Sequence, residues 1–123
     1  LYAITYGSTI RHGSTVLARL PGPVRRFAAE RHYLPLNVPL VKRVAGVPGD
    51  RICARGATIY RNGEPIAVRR MRDARGRLLP GWTGCRRLGA DELFLLNAPA
   101  DSFDGRYFGI TQRADVIGKA HKL

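Results

Sequence analysis

At 123 residues the chain is long enough for one domain with a modest core, and a hydrophobic content of 45% excludes a disordered polymer. Lys and Arg number 21 against 9 Asp and Glu, a formal charge of +12 that favours anionic partners such as nucleic acid or an acidic membrane surface. The arginines are spread along the whole chain and no helix-turn-helix, zinc finger or RNA-stacking motif accompanies them, so no specific nucleic-acid partner is expected. No run of 18 apolar residues occurs, which excludes a membrane-spanning helix within these residues.

In chain order, residues 15–20 (TVLARL) read as a strand that stops at Pro21-Gly22-Pro23. Residues 24–34 space Val24, Phe27, Ala28 and Arg31 at helical intervals, which predicts a short amphipathic helix or an irregular insert. Residues 38–47 form a longer apolar strand, followed by short β candidates at 50–54 and 58–61. Asn62-Gly63 between 58–61 and Pro65-Ile66 suits a type I′ hairpin turn. Residues 67–82 are rich in Arg and Gly, and predict a loop or irregular hairpin around Arg75-Gly76. Strands are expected at 92–97 (ELFLLN) and 113–120. Many short strands with frequent turns predict a mainly β, largely antiparallel fold over residues 1–123 as one domain.

Cys53 and Cys85 have no metal-type spacing, and His12, His32 and His121 are scattered, so neither a metal nor a cofactor is expected. In an oxidising compartment the two cysteines would form one disulfide worth roughly 3–4 kcal/mol. In the cytosol they would stay reduced. The sequence leaves both readings open.

Two segments concentrate glycine, charge and aromatics directly after an apolar strand, where reactive groups are often held. The first is VKRVAGVPGD, residues 41–50, and the second is NAPADSFDGRYFG, residues 97–109. Lys42 stands inside an apolar run. Taken alone it is a charge that keeps an edge strand from aggregating. Alternatively, an ammonium among apolar neighbours loses proton affinity by desolvation, and the neutral amine serves as a general base. In the second segment a serine hydroxyl at Ser102 is placed to orient that amine. Asp104 is placed to pair with Arg106 and Arg43 and so join the two loops.

Together these segments resemble the type I signal peptidases, the S26 serine-lysine peptidase family. VKRVAGVPGD is similar to that family's lysine box, K-R-V-x-G/A-x-P-G-D, and SFDGRYFG to its last box, S-x-D-S-R-Y/F-F/W-G. Arg11-His12-Gly13-Ser14-Thr15-Val16 resembles the R-x-G-D-x-V segment that precedes the lysine box. Within the family the likeness is greatest to the conjugative-transfer peptidase TraF. Its periplasmic domain opens S-x-P-x-G-L-Y, and Leu1-Tyr2 resembles the end of that motif. The resemblance covers nearly the whole chain.

The resemblance implies an S26/LexA-type antiparallel β fold with a short helical insert. It makes Lys42 the general base and Ser102 the residue that orients it. Arg43, Asp104 and Arg106 become a structural ion-pair cluster, with Gly49 and Asp50 closing the turn after the lysine strand. It depends on no metal and no cofactor. Three departures stand out: Gly105 for the serine of D-S-R, a change expected to be tolerated; Ala98 for an aspartate, with one hydrogen bond to that loop lost; and Ser14 for the aspartate of R-x-G-D. The nucleophilic serine falls before Leu1, so the chain is expected to be truncated upstream, to lack its anchor and nucleophile, and to be inactive as it stands. The implied substrate is a pilin precursor or other preprotein peptide, cut or cyclised at the periplasmic face of the bacterial inner membrane, where an N-terminal anchor holds the protein to that surface. The rival readings are a catalytically dead pilin assembly factor and a basic nucleic-acid-binding β domain.

Overall fold

The computed structural model describes residues 1–99 and 102–123; Ala100 and Asp101, which belong to the second segment, lie outside the described residues. The strands that the turns divide sort into two antiparallel sheets. The larger has the order β1 (Tyr2–Thr5), β10 (Val116–Lys122), β2 (Thr15–Ala18), β3 (Leu40–Gly46), β8 (Glu92–Leu96) and β9 (Thr111–Gln112). The smaller has the order β6 (Glu64–Val68), β5 (Thr58–Arg61), β4 (Arg51–Arg55) and β7 (Gly84–Arg87). Two short helices complete the fold, α1 (Gly22–Glu30) and α2 (Gly105–Phe108).

Alternation along β8 distributes the core to both faces of the larger sheet. Phe94 and Leu96 pack with Ala45, Ile52, Ile59 and Leu88 between the sheets. Leu93 and Leu95 point the other way and pack with Val16, Val44 and Val116. A third cluster, Leu20, Ala28, Phe103 and Tyr107, seats α1 against α2.

The helical insert begins earlier than its apolar spacing predicts and ends earlier. Pro23 occupies the first turn, where a missing N–H is no loss. Past Glu30 the chain turns away because His32 adopts a left-handed φ of 60°. The expected hairpin turn is present: Asn62 and Gly63 have φ of 51° and 86°, as a type I′ turn requires. Five elements have no counterpart in the predicted pattern: β1, β7, β9, α2 and a 3-10 turn at Arg113–Asp115, which takes the first residues of the strand expected at 113–120 so that β10 begins at Val116. β7 (GCRR) is exposed throughout and shows no alternation; its pairing with β4 makes it a strand.

That pairing sets Cys53 opposite Cys85, and the two form a disulfide with Cα atoms 4.0 Å apart. The cross-link closes a loop with a sequence separation of 32 and holds the edge strand on the smaller sheet. Elsewhere the two sheets are joined at the turn after β3. Gly49, with φ of 92°, donates its N–H to the Leu88 carbonyl, and Leu88 donates to the Asp50 carbonyl. The Asp50 carboxylate is buried there and accepts from Val47 N (3.0 Å), Arg61 Nε (2.9 Å) and Asn62 Nδ2 (3.1 Å). One side chain thus ties the β3–β4 turn to the β5–β6 hairpin.

Helix α2 lies so close to β8 that residue 105 has no room for a side chain. A Cβ on Gly105 would stand 2.7 Å from Phe94 Cε1 and 2.9 Å from the Leu95 carbonyl oxygen. The glycine that replaces the family's serine is therefore matched to the phenylalanine beneath it, and the Trp82 indole donates to its carbonyl at 2.9 Å.

Two outcomes follow. Cys53→Ala combined with Cys85→Ala lowers the unfolding free energy by about 3–4 kcal/mol, as the size of the closed loop implies; an unchanged urea midpoint refutes the cross-link's role. Gly105→Ser costs about 2 kcal/mol of stability from overpacking. In a Phe94→Leu background the part of that cost due to the ring is relieved, and an equal cost in both backgrounds assigns it to the Leu95 carbonyl instead of the Phe94 ring.

Candidate active site

Strand alternation places Lys42 and Val44 on one face of β3 and Arg43 on the other. Lys42 is only 6% exposed, and its partner across the sheet is Val16. Its Nζ donates to the Phe103 carbonyl at 3.1 Å. The Asn97 amide faces the same ammonium. Turned so that both its ends are satisfied, its oxygen accepts from Lys42 Nζ at 3.2 Å and its nitrogen donates to the Leu96 carbonyl at 3.1 Å. Burial pushes the Lys42 amine down from its ordinary value of 10.5; Asp104 opposes that fall and Arg106 adds to it.

Lys42 lines a cavity of about 650 Å³ together with Val41, Asn97, Ser102, Phe103 and Tyr107. Ser102 is half-buried on the same wall. The Lys42 bond runs to the carbonyl of the next residue, Phe103, rather than to the Ser102 hydroxyl. Ser8 and Ser14 are not on the wall, and the Ser14 hydroxyl accepts from Arg11 N at 3.0 Å. At that turn a serine does the accepting where the family pattern has an aspartate.

The loop carrying Ser102 and Phe103 is held by a buried ion pair. Asp104 is fully buried and Arg106 is 3% exposed, and their Oδ2–NH1 distance is 3.0 Å. Asp104 caps α2 by accepting from Arg106 N at 3.0 Å, and also accepts from Asn97 N at 2.9 Å. Burial pushes its carboxyl up from the ordinary value, while these donors and the guanidinium work against the rise. Arg106 donates in turn to the carbonyls of Pro99 (2.6 Å), Asn97 (2.8 Å) and Ala98 (3.4 Å). Main-chain oxygens therefore bind the loop at Ala98, where the family's aspartate is missing.

Arg43 does not belong to this cluster. Alternation carries it to the opposite face of β3, where it is exposed and forms no ion pair among the described residues. Gly49 and Asp50 close the turn at the far end of the strand and do not line the cavity. Sequence reasoning did not assign a role to Asn97 or to the Phe103 carbonyl, the two acceptors for Lys42. A main-chain oxygen leaves no residue-type signal, and an asparagine at a strand end reads as a turn former.

No group of three or more His, Cys, Asp or Glu side chains among the described residues is arranged to hold a metal. A buried amine with lowered proton affinity, a hydroxyl on the same wall and an open cavity form a constellation suited to proton transfer during acyl transfer.

The comparisons agree in direction. The signal peptidase, peptidase S26 family model matches residues 2–123. Signal peptidase I of Bacillus caldolyticus is 31% identical over 109 residues, covering 80% of this chain and 60% of that protein. The probable conjugal transfer protein TraF of Sinorhizobium fredii is 31% identical over 106 residues, covering 80% of this chain and 55% of its own length. The chain thus spans little more than half the length of these curated relatives. A crystal structure of a signal peptidase I from Enterococcus faecalis shares the fold, with a TM-score of 0.50 at 19% identity over 91% of this chain and 97% of that one. This chain belongs to the signal peptidase family S26.

Proposed function

We propose that these residues carry the catalytic base of a serine-lysine endopeptidase that processes a pilin precursor for a conjugation apparatus. The observation that carries the reading is the buried Lys42 amine on the wall of an open cavity it shares with Ser102. The likeness to a conjugal transfer protein supports the choice of substrate. Neutral Lys42 takes the proton of a serine hydroxyl as that oxygen attacks the scissile carbonyl, then returns it to the leaving amine. Ser102 orients the lysine and Asp104–Arg106 holds the loop. In this reading the nucleophile is the serine of the family's S-x-P-x-G-L-Y motif, whose last two letters Leu1-Tyr2 resemble. Water releases the product as a free acid, and attack by the substrate's own amino terminus releases a ring. The Cys53–Cys85 cross-link supports an oxidising, periplasmic setting, with an anchoring segment holding the domain at the inner membrane.

In the full-length protein, Lys42→Ala abolishes cleavage of the precursor while near-ultraviolet circular dichroism stays native; retained cleavage refutes the assignment. Ser102→Ala lowers kcat about 10–100-fold and leaves KM within a factor of two, the pattern for a group that positions the base. Cleavage rises with pH through the lowered Lys42 pKa, because only the neutral amine accepts a proton.

The same shift affects stability. The native amine titrates below the unfolded one, so below the native pKa the folded state bears the full burden of a buried cation. That burden lifts as pH rises from the native value towards 10.5, and stability rises across the window. Lys42→Met removes this increment, and identical urea midpoint–pH slopes for the two proteins refute it.

A further inference from the structure

The cavity that holds Lys42 has a second wall that the proton transfer does not use. The connection between β6 and β7 brings Arg70, Arg72, Arg75 and Arg77 to it, and Arg31 joins them from the end of α1. Among the described lining residues, Asp73 is the one carboxylate facing these cations. It is committed within the loop: it accepts from the Tyr33 hydroxyl (2.7 Å), Arg77 Nε (2.8 Å) and the N–H groups of Arg75 and Arg77 (both 2.9 Å). Burial acts to raise its carboxyl, but the hydrogen bonds from Tyr33, Arg77 and Arg75 hold it well below the usual carboxylate range.

The wall is built rather than loose. Arg69 is buried at its root and donates to the Gly56 carbonyl at 2.9 Å. Arg31 donates to the Leu78 carbonyl at 2.7 Å, which fastens the loop to the helix end, and a bridge between Arg72 and Leu78 closes it. Arg70 and Arg75 join this scaffold through their main-chain N–H groups, to the Tyr107 hydroxyl and to Asp73, but not through their side chains. Both are exposed, and neither guanidinium meets an acceptor among the described residues.

We propose that this wall selects the substrate: a peptide segment rich in carboxylates, next to the bond delivered to Lys42, docks on Arg70 and Arg75. The inference rests on the peptidase reading. A guanidinium presents a planar fork that matches a carboxylate, and a cleft lined by one sign of charge focuses its field on what enters. An anionic membrane would engage cations anywhere on the exterior. These two line the cavity of the base itself, which favours an entering peptide over a lipid surface.

The test uses the 123-residue chain and a fluorescent alanine-rich peptide carrying a cluster of aspartates, beside its asparagine isostere. By anisotropy at physiological salt, the acidic peptide binds about tenfold more tightly than the isostere. Arg70→Glu with Arg75→Glu erases that difference, while Arg11→Glu with Arg51→Glu, exposed residues off the cavity with the same change in net charge, preserves it. Equal binding of the two peptides overturns the proposal, as does equal loss in both double variants. Weakened binding to anionic lipid vesicles with peptide discrimination intact also overturns it and points to the membrane. Lys42-dependent cleavage with no preference for acidic flanks defeats this proposal alone, whereas cleavage that persists in Lys42→Ala defeats the peptidase reading alone.

Discussion

The interaction on which the site rests is the ion pair between Asp104 and Arg106. Both groups are withdrawn from water, a placement that is stable only if the remaining donors and acceptors are filled. Here the filling is nearly complete. The carboxylate caps α2 and takes the N–H of Asn97, while the guanidinium gathers the carbonyls of residues 97–99. The pair therefore fixes the strand end, the loop and the helix start in one frame. Phe103 sits inside that frame, its ring against Tyr33 and Tyr107 and its carbonyl against Lys42. A buried pair of this kind adds little net stability compared with apolar packing; what it supplies is position.

Lys42 illustrates how such a frame is used. Burying an ammonium disfavours it, and the fold tolerates this because main-chain and amide oxygens partly replace the lost water. The replacement is incomplete, which is the condition the proposed base would need. Full solvation would keep the proton on, and a close carboxylate partner would do the same. Among the described residues the acid that acts on it, Asp104, is instead committed to Arg106, so the lysine lies near a negative charge without owning it.

Much of the fold was legible from punctuation. Asn62-Gly63 specified its turn type, and the apolar runs at 38–47 and 92–97 specified strands, which the structure sets at Leu40–Gly46 and Glu92–Leu96. The elements without a predicted counterpart have their causes elsewhere in the molecule. β7 is exposed and polar, and exists because β4 and a disulfide hold it. α2 is a single turn whose start is set by a side chain, not by periodicity. The candidate site was legible as two motifs: Lys42 and Ser102 line one cavity and Asp104 pairs with Arg106 behind it, while the Lys42 bond goes to the Phe103 carbonyl. Arg43 shows the limit of motif reasoning, because neighbours in a strand point to opposite faces however well the consecutive letters match. Gly105 shows another: its tolerance depends on Phe94, a residue that no motif connects to it.

The two walls of the cavity have separate origins in the architecture. The base and its frame belong to the larger sheet and the loop following β8. The arginine wall belongs to an excursion between two strands of the smaller sheet, secured at its root by Arg69 and at its tip by α1. Under the proposed function, the chemical step and the choice of substrate would be written on different stretches of chain that face one cavity. The two meet at the frame itself: Arg69 donates to the Arg106 carbonyl at 3.3 Å, and the Arg70 N–H donates to the Tyr107 hydroxyl at 3.1 Å. If the proposed roles hold, exchanging the exposed Arg70 and Arg75 side chains would alter which precursor docks, whereas replacing Arg69 at the root would reach the frame around the amine as well.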